Sequence, residues 1–150
     1  MDLTFPYQKF EEDIPTIEGV EVFQVGTWRG TEYKLEDLKA MESNFKALKG
    51  VLDPPLKVDH SESAHNIAGW VVDVYVKGKS LFVDLEVTEP DVMDKIKRGT
   101  FKKVSAEIYT NYIDERTLTQ YGTVLRAVSI VSIPQLKNIR GIEFKGGRES

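Results

Sequence analysis

Runs of alternating apolar and polar residues recur along this chain, and they give way only twice to the three- and four-residue spacing of a helix. Period two places successive side chains on opposite faces of an extended strand, so such a chain must fold around a sheet. Residues 20–25 open the series, and Gly26-Thr-Trp-Arg-Gly30 breaks it with a turn. Leu35, Leu38, Met41, Phe45 and Leu48 then mark one stripe of an amphipathic helix, which Gly50 ends. In residues 56–60 the alternation returns and puts Leu56, Val58 and His60 on one side, with His60 at a strand end. Residues 67–76 and 81–87 read as a hairpin joined across Lys77-Gly-Lys-Ser80. A second, short helix over residues 90–98 follows, with Thr88 as N-cap, Pro90 in its first turn, Val92, Met93 and Ile96 as apolar positions and Gly99 as its stop.

Over residues 101–110 one face holds Val104, Ala106 and Ile108 and the other, polar and exposed, holds Lys103, Ser105, Glu107 and Tyr109. Residues 111–121 are polar, and 124–133 form a nearly continuous branched run that suits a central strand buried on both faces, ended by Pro134. The expectation is an α+β fold of about six or seven strands and two helices on a mainly antiparallel sheet or barrel. Residues 1–19 read as an N-terminal arm, 20–144 as the folded domain and 145–150 as a flexible tail.

Composition removes several functional classes. At 150 residues the chain suits a single domain with its own core. The net charge of -4, without a basic cluster interleaved with aromatics, argues against nucleic acid as a partner. The absence of cysteine excludes disulfides, thiolate zinc sites and thiol nucleophiles, and suits a reducing cytoplasm. No segment has the length of a membrane span and none reads as a targeting signal, so no membrane partner is expected.

The two histidines both lie in Asp59-His-Ser-Glu-Ser-Ala-His65. A general base near neutral pH is most often histidine, although a loop histidine is equally a piece of ordinary polar surface. Asp59, His60, Glu62 and His65 also have the chemistry of metal ligands, but their spacing matches no established zinc signature, and no cofactor is expected. Ser105 and Glu107 are two apart on one strand and leave the same face. A serine, a carboxylate and a histidine supply nucleophile, orienting group and base; an exposed polar sheet face is the competing reading.

The order of segments carries more than any one of them. Gly26-Thr-Trp-Arg-Gly30, Tyr33, the Leu35 helix, Pro55-Leu-Lys-Val-Asp-His60, Ala68-Gly-Trp70, Leu81, Arg98-Gly99, Lys103-Val-Ser-Ala-Glu-Ile108 and a late apolar strand ending in Pro134 resemble the Mu-like prophage I protein family, over roughly residues 20–142. These are protease and scaffold proteins of phage capsid maturation, more distantly similar to prohead proteases and herpesvirus assemblins. The resemblance implies a small β-barrel wrapped by helices, a serine endopeptidase with Ser105 as nucleophile and His60 as base, and scaffold and major capsid proteins as substrates. It also implies action inside the assembling procapsid, in the cytoplasm of the bacterial host, and cleavage of the protease's own chain. It admits a homodimer, since assemblins dimerise for activity. Family members commonly continue into a helical scaffold region.

Two departures mark the chain. Assemblins use a second histidine after the serine, and none follows Ser105; many prohead proteases place a carboxylate at the start of the last apolar strand, where Ala127 stands here. Strand period makes Glu107 the chosen third member, ahead of His65, Asp59 and Asp73. Oxyanion-stabilising amides are expected after the last strand near Asn138-Ile-Arg-Gly141, with Arg140 and Gly141 as the binding residues. A different class of function remains beside this one: a non-catalytic scaffold or capsid-assembly module on the same fold.

Overall fold

A computed structural model describes residues 13–134 and 142. Eight strands and two α-helices are built in chain order: β1 (Thr16–Gln24), β2 (Gly26–Trp28), β3 (Thr31–Tyr33), α1 (Leu35–Ala47), β4 (Pro55–Val58), β5 (Ile67–Lys77), β6 (Ser80–Val87), α2 (Pro90–Lys97), β7 (Val104–Asp114) and β8 (Thr119–Ile130). Six of the strands form one sheet in the order β1-β6-β5-β4-β8-β7, and β2 and β3 pair as a separate hairpin. Every pairing is antiparallel except β4 with β8.

The expected closed barrel is not what forms. β1 and β7 are the two edges of the sheet, and it curls until their Cα atoms come within 8 Å, but no ladder joins them among the described residues. Alternation shows which residues turn inward but carries no information about whether the first and last strands bond, so the sequence left this point undetermined.

Period two is cleanest in β6, where Leu81, Val83, Leu85 and Val87 are buried and the residues between them are not. Helix α1 presses Leu38, Met41 and Phe45 against β5 and β8, while Leu35, its expected first apolar position, is 39% exposed. Asn44 fixes the helix by donating from Nδ2 to the carbonyls of Tyr121 and Thr123. Helix α2 buries Met93 and Ile96; its N-cap is Glu89 rather than Thr88, whose hydroxyl donates to the Ala68 carbonyl and to Glu89. Two boundaries exceed the sequence expectation. β1 starts ahead of residue 20 because a bulge between Ile17 and Val20, with Gly19 at φ +73°, interrupts its alternation. The polar stretch from 111 to 121 holds the far end of the β7–β8 ladder and the turn at 115–118 that joins the two strands, where residues that face water need not be apolar.

Three neighbouring strands set the site. Across β4, β8 and β7 the register pairs Leu56 with Val128 with Ala106, and Val58 with Ile130 with Val104. These rows face the core. Between them runs a row of Lys57, Ser129 and Ser105, whose side chains leave the opposite face. The row is polar and nonetheless buried, with Lys57 4%, Ser129 0% and Ser105 3% exposed.

Candidate active site

Glu107 lies two residues beyond Ser105 on β7, opposite Ala127 on β8, and so shares the face of the polar row. Its carboxylate collects four donors. Oε1 accepts from Lys57 Nζ at 3.1 Å and Arg126 Nη1 at 2.8 Å; Oε2 accepts from Ser129 Oγ at 2.6 Å and lies 2.7 Å from His60 Nδ1. Burial pushes the Glu107 carboxyl up, but the hydrogen bonds from Ser129, His60 and Lys57, with the charge of Lys57, outweigh it and hold the group below the ordinary carboxylate range. Glu107 is therefore an anion at neutral pH. An anionic carboxylate only accepts, so the ring nitrogen facing it is the donor; neutral His60 carries its proton on Nδ1 and presents Nε2 as a base.

Two local irregularities bring these groups together. The sequence expectation put His60 on the side of Leu56 and Val58, at a strand end, and in the structure that side faces the core. Instead β4 ends at Val58, Asp59 adopts φ +65°, and His60 emerges from a turn onto the face of Lys57, with its side chain 48% exposed. Aspartate is among the few residues that tolerate this left-handed conformation. The second irregularity is a bulge in β8, where Glu107 pairs with Ala127 but Ile108 pairs with Leu125, leaving Arg126 as the extra residue. Strict alternation from Val128 would send Arg126 toward the core; the extra residue turns it to Glu107.

Arg126 also donates from Nη2 to Glu62 Oε1 at 2.6 Å and from Nε to the Tyr109 hydroxyl at 3.3 Å, and Lys57 Nζ reaches Glu62 Oε2 at 3.4 Å. The hydrogen bonds from Arg126 and Lys57 hold the Glu62 carboxyl below its usual value. Beside the His60–Glu107 pair a groove of about 240 Å³ is lined by Phe23, Trp28, Tyr33, His60, Ala106 and Ile108, among others. Arg29, Thr31 and Glu107 complete its lining, so its walls mix aromatic and aliphatic side chains with polar and charged ones.

The sequence candidates divide accordingly. His60 and Glu107 meet directly. Ser105 shares their face, but its hydroxyl bonds neither of them nor any other side chain among the described residues, and it is buried rather than on an exposed surface as expected. The β7 strand lies at the sheet edge, yet this stretch of its polar face belongs to the packed row with Ser129 and Lys57, which is why period alone misjudged its exposure. His65 sits in a single 3-10 turn, Ala64–Asn66, and Asp73 accepts from its neighbour's N–H on β5; neither bonds the pair among the described residues. Asp59 contributes its backbone turn. Arg140 and Gly141 lie outside the described residues. No group of three or more metal-ligating side chains occurs among the described residues. Sequence reasoning missed Lys57, Glu62 as a partner of Lys57 and Arg126, Arg126 itself and Ser129; the one available signal was Lys57, a cation inside an otherwise apolar strand.

No family model matches this chain, and no curated protein does. Among solved structures it is similar to KSHV protease in complex with a hexapeptide phosphonate inhibitor, at a TM-score of 0.38 and 16% sequence identity. The match covers 77% of this chain and 60% of the protease chain. At that level of similarity the chemistry has to be read from the site itself.

Proposed function

We propose that this protein is a serine hydrolase of the peptidase kind, with Ser105 as nucleophile, His60 as base and Glu107 as the group that orients His60. The observation that carries the reading is the 2.7 Å contact of His60 Nδ1 with an anionic Glu107 on the sheet face that also bears Ser105. In this arrangement Nε2 of His60 takes the proton of Ser105 Oγ, the oxygen attacks a carbonyl carbon, and Glu107 stabilises the resulting imidazolium. The proton then passes from His60 to the leaving amine, and water releases the acyl group by the same steps. Of the two serines in the row, Ser129 already donates to Glu107, so its hydroxyl positions the carboxylate. Ser105 makes no competing hydrogen bond among the described residues.

The finer reading is a capsid-maturation protease of a tailed phage that cleaves scaffold and major capsid proteins, and its own chain, inside the procapsid. Its support is the ordered series of segments from Gly26 to Pro134 that resembles the Mu-like prophage I family. A second reading is favoured by the 3% exposure of Ser105 and by the saturation of Glu107 with four donors. Both also suit a polar cluster that only stabilises a non-catalytic assembly module.

A fluorophosphonate reagent separates them, because it forms a bond only with an activated serine. The catalytic reading expects labelling that maps to Ser105, is lost in Ser105→Ala and falls by several orders of magnitude in His60→Ala. Wild-type protein that stays unlabelled, or labelling that persists in Ser105→Ala, sinks the assignment and leaves the assembly module.

A further inference from the structure

Glu62 is 67% exposed, yet each of its carboxylate oxygens bonds a different cation of the site. Arg126 and Lys57, which it bridges, are the same two cations that hold Glu107 Oε1. The four side chains form a closed ring of alternating charge, two cations and two carboxylates, with Glu107 Oε2 left outside it for Ser129 and His60. The ring spans two parts of the chain that have little else to join them. Residues 60–62 reach the sheet by hydrogen bonds only through His60 and Glu62 among the described residues; Ser61 Oγ accepts from Ser63 N–H inside the loop, and from Ser63 on the chain is held by its own turn, whose Ser63 and Ala64 carbonyls accept from Asn66 and Ile67 N–H. The strands resume their hold at Asn66, whose Nδ2 donates to the Val58 carbonyl.

We infer that Glu62 is a positioning residue for His60: it ties the loop to Lys57 and Arg126 so that Nδ1 rests on Glu107 Oε2. This rests on the proposed role of His60 as the base. Without Glu62, the contact of His60 with Glu107 is the sole hydrogen-bonded tether of residues 60–62 to the sheet among the described residues, and one half-exposed hydrogen bond then has to offset the conformational freedom of that stretch. The ring would also lose a negative charge, leaving Lys57 and Arg126 to share Glu107 Oε1 alone. Neither change touches the core, since Glu62 lies on the surface.

The test uses the whole chain with Glu62→Ala and Glu62→Gln, and reads two quantities. The first is the proton resonance of His60 Nδ1–H, which a carboxylate partner shifts downfield and shields from exchange; His60→Ala assigns it, and His65, with no side-chain partner among the described residues, supplies no second one. The second is the maximal rate of fluorophosphonate labelling. Glu62→Ala is expected to broaden the resonance beyond detection and to lower the labelling rate roughly tenfold, the scale of effect that a loosened catalytic group produces. Glu62→Gln, which keeps an oxygen acceptor for Arg126, should retain part of both. A Glu62→Ala protein whose His60 resonance is as sharp as in wild type overturns the inference, whatever its melting temperature. Because the resonance is read without turnover, loss of the signal in a protein that was never labelled upholds the positioning role and refutes the hydrolase reading instead.

Discussion

Ser105 and Ser129 face each other across the β7–β8 ladder, and they differ in what their hydroxyls do. Ser129 donates to Glu107; Ser105 has no side-chain hydrogen bond among the described residues. Removing the first leaves one oxygen of a largely buried carboxylate short of a donor, whereas removing the second breaks no side-chain hydrogen bond among the described residues. Ser129→Ala should therefore cost about 1–2 kcal/mol in denaturant unfolding and Ser105→Ala no more than about 0.5 kcal/mol, although only Ser105→Ala abolishes labelling under the catalytic reading. Equal costs for the two would contradict the asymmetry. Glu107→Gln tests the centre of the cluster: the amide keeps the shape but withdraws the charge from Lys57, whose side chain is only 6% exposed. About 2 kcal/mol of destabilisation is expected, since a nearly buried cation loses its main partner. At this scale Glu107 was legible because residues two apart in a strand share a face. Arg126 was not, because an unmarked bulge reverses its face, and Ser129 was hidden inside a run that is buried on both faces.

At the scale of elements, what the sequence showed was whatever repeats without interruption. The α1 stripe and the β6 alternation are uninterrupted, and both elements form where their periods place them. Bulges in β1, β5, β7 and β8 each shift the count by one, and beyond Gly19 in β1 and Gly122 in β8 no residue type announces them. Gly69 is an exception whose reason is visible only in three dimensions. It lies in β5 against β6, and a Cβ built there would stand 1.9 Å from the Glu86 carbonyl oxygen. That oxygen belongs to a strand backbone and cannot rotate aside as a side chain would. Gly69→Ala should therefore separate β5 from β6 next to the β4 strand that leads into His60. A loss of about 4 kcal/mol, or failure to accumulate folded protein, is expected in thermal and denaturant melts. A melting temperature within a degree or two of wild type would mean that the strands are spaced more widely there than the structure has them.

For the molecule as a whole, the sequence implied strands, helices and a mainly antiparallel order, but not that the sheet stays open or that β4 and β8 run parallel; both depend on elements far apart in the chain, β1 with β7 and β4 with β8. The same long-range assembly sets the response to acid. Glu107, Glu62 and Asp114 all titrate below their ordinary values, the first through donors from β4, β8 and the His60 turn that outweigh its burial, the second through Arg126 and Lys57, the third through Arg116. A carboxyl held low in the folded state binds its proton more readily when unfolded. Its contribution to stability is thus complete above the unfolded value of about 4 and is lost as pH falls through the lower folded value. The melting temperature should stay level with respect to these groups from pH 7 to about 5 and then fall steadily below about pH 4. Glu107→Gln removes the carboxyl with the most side-chain donors of the three from this balance. Its melting temperature should start lower at pH 7 but decline less steeply in acid, so that the two curves converge. Parallel curves for wild type and Glu107→Gln down to pH 2.5 would show that Glu107 binds its proton no differently in the folded chain, and that the four donors around it do not hold it as an anion.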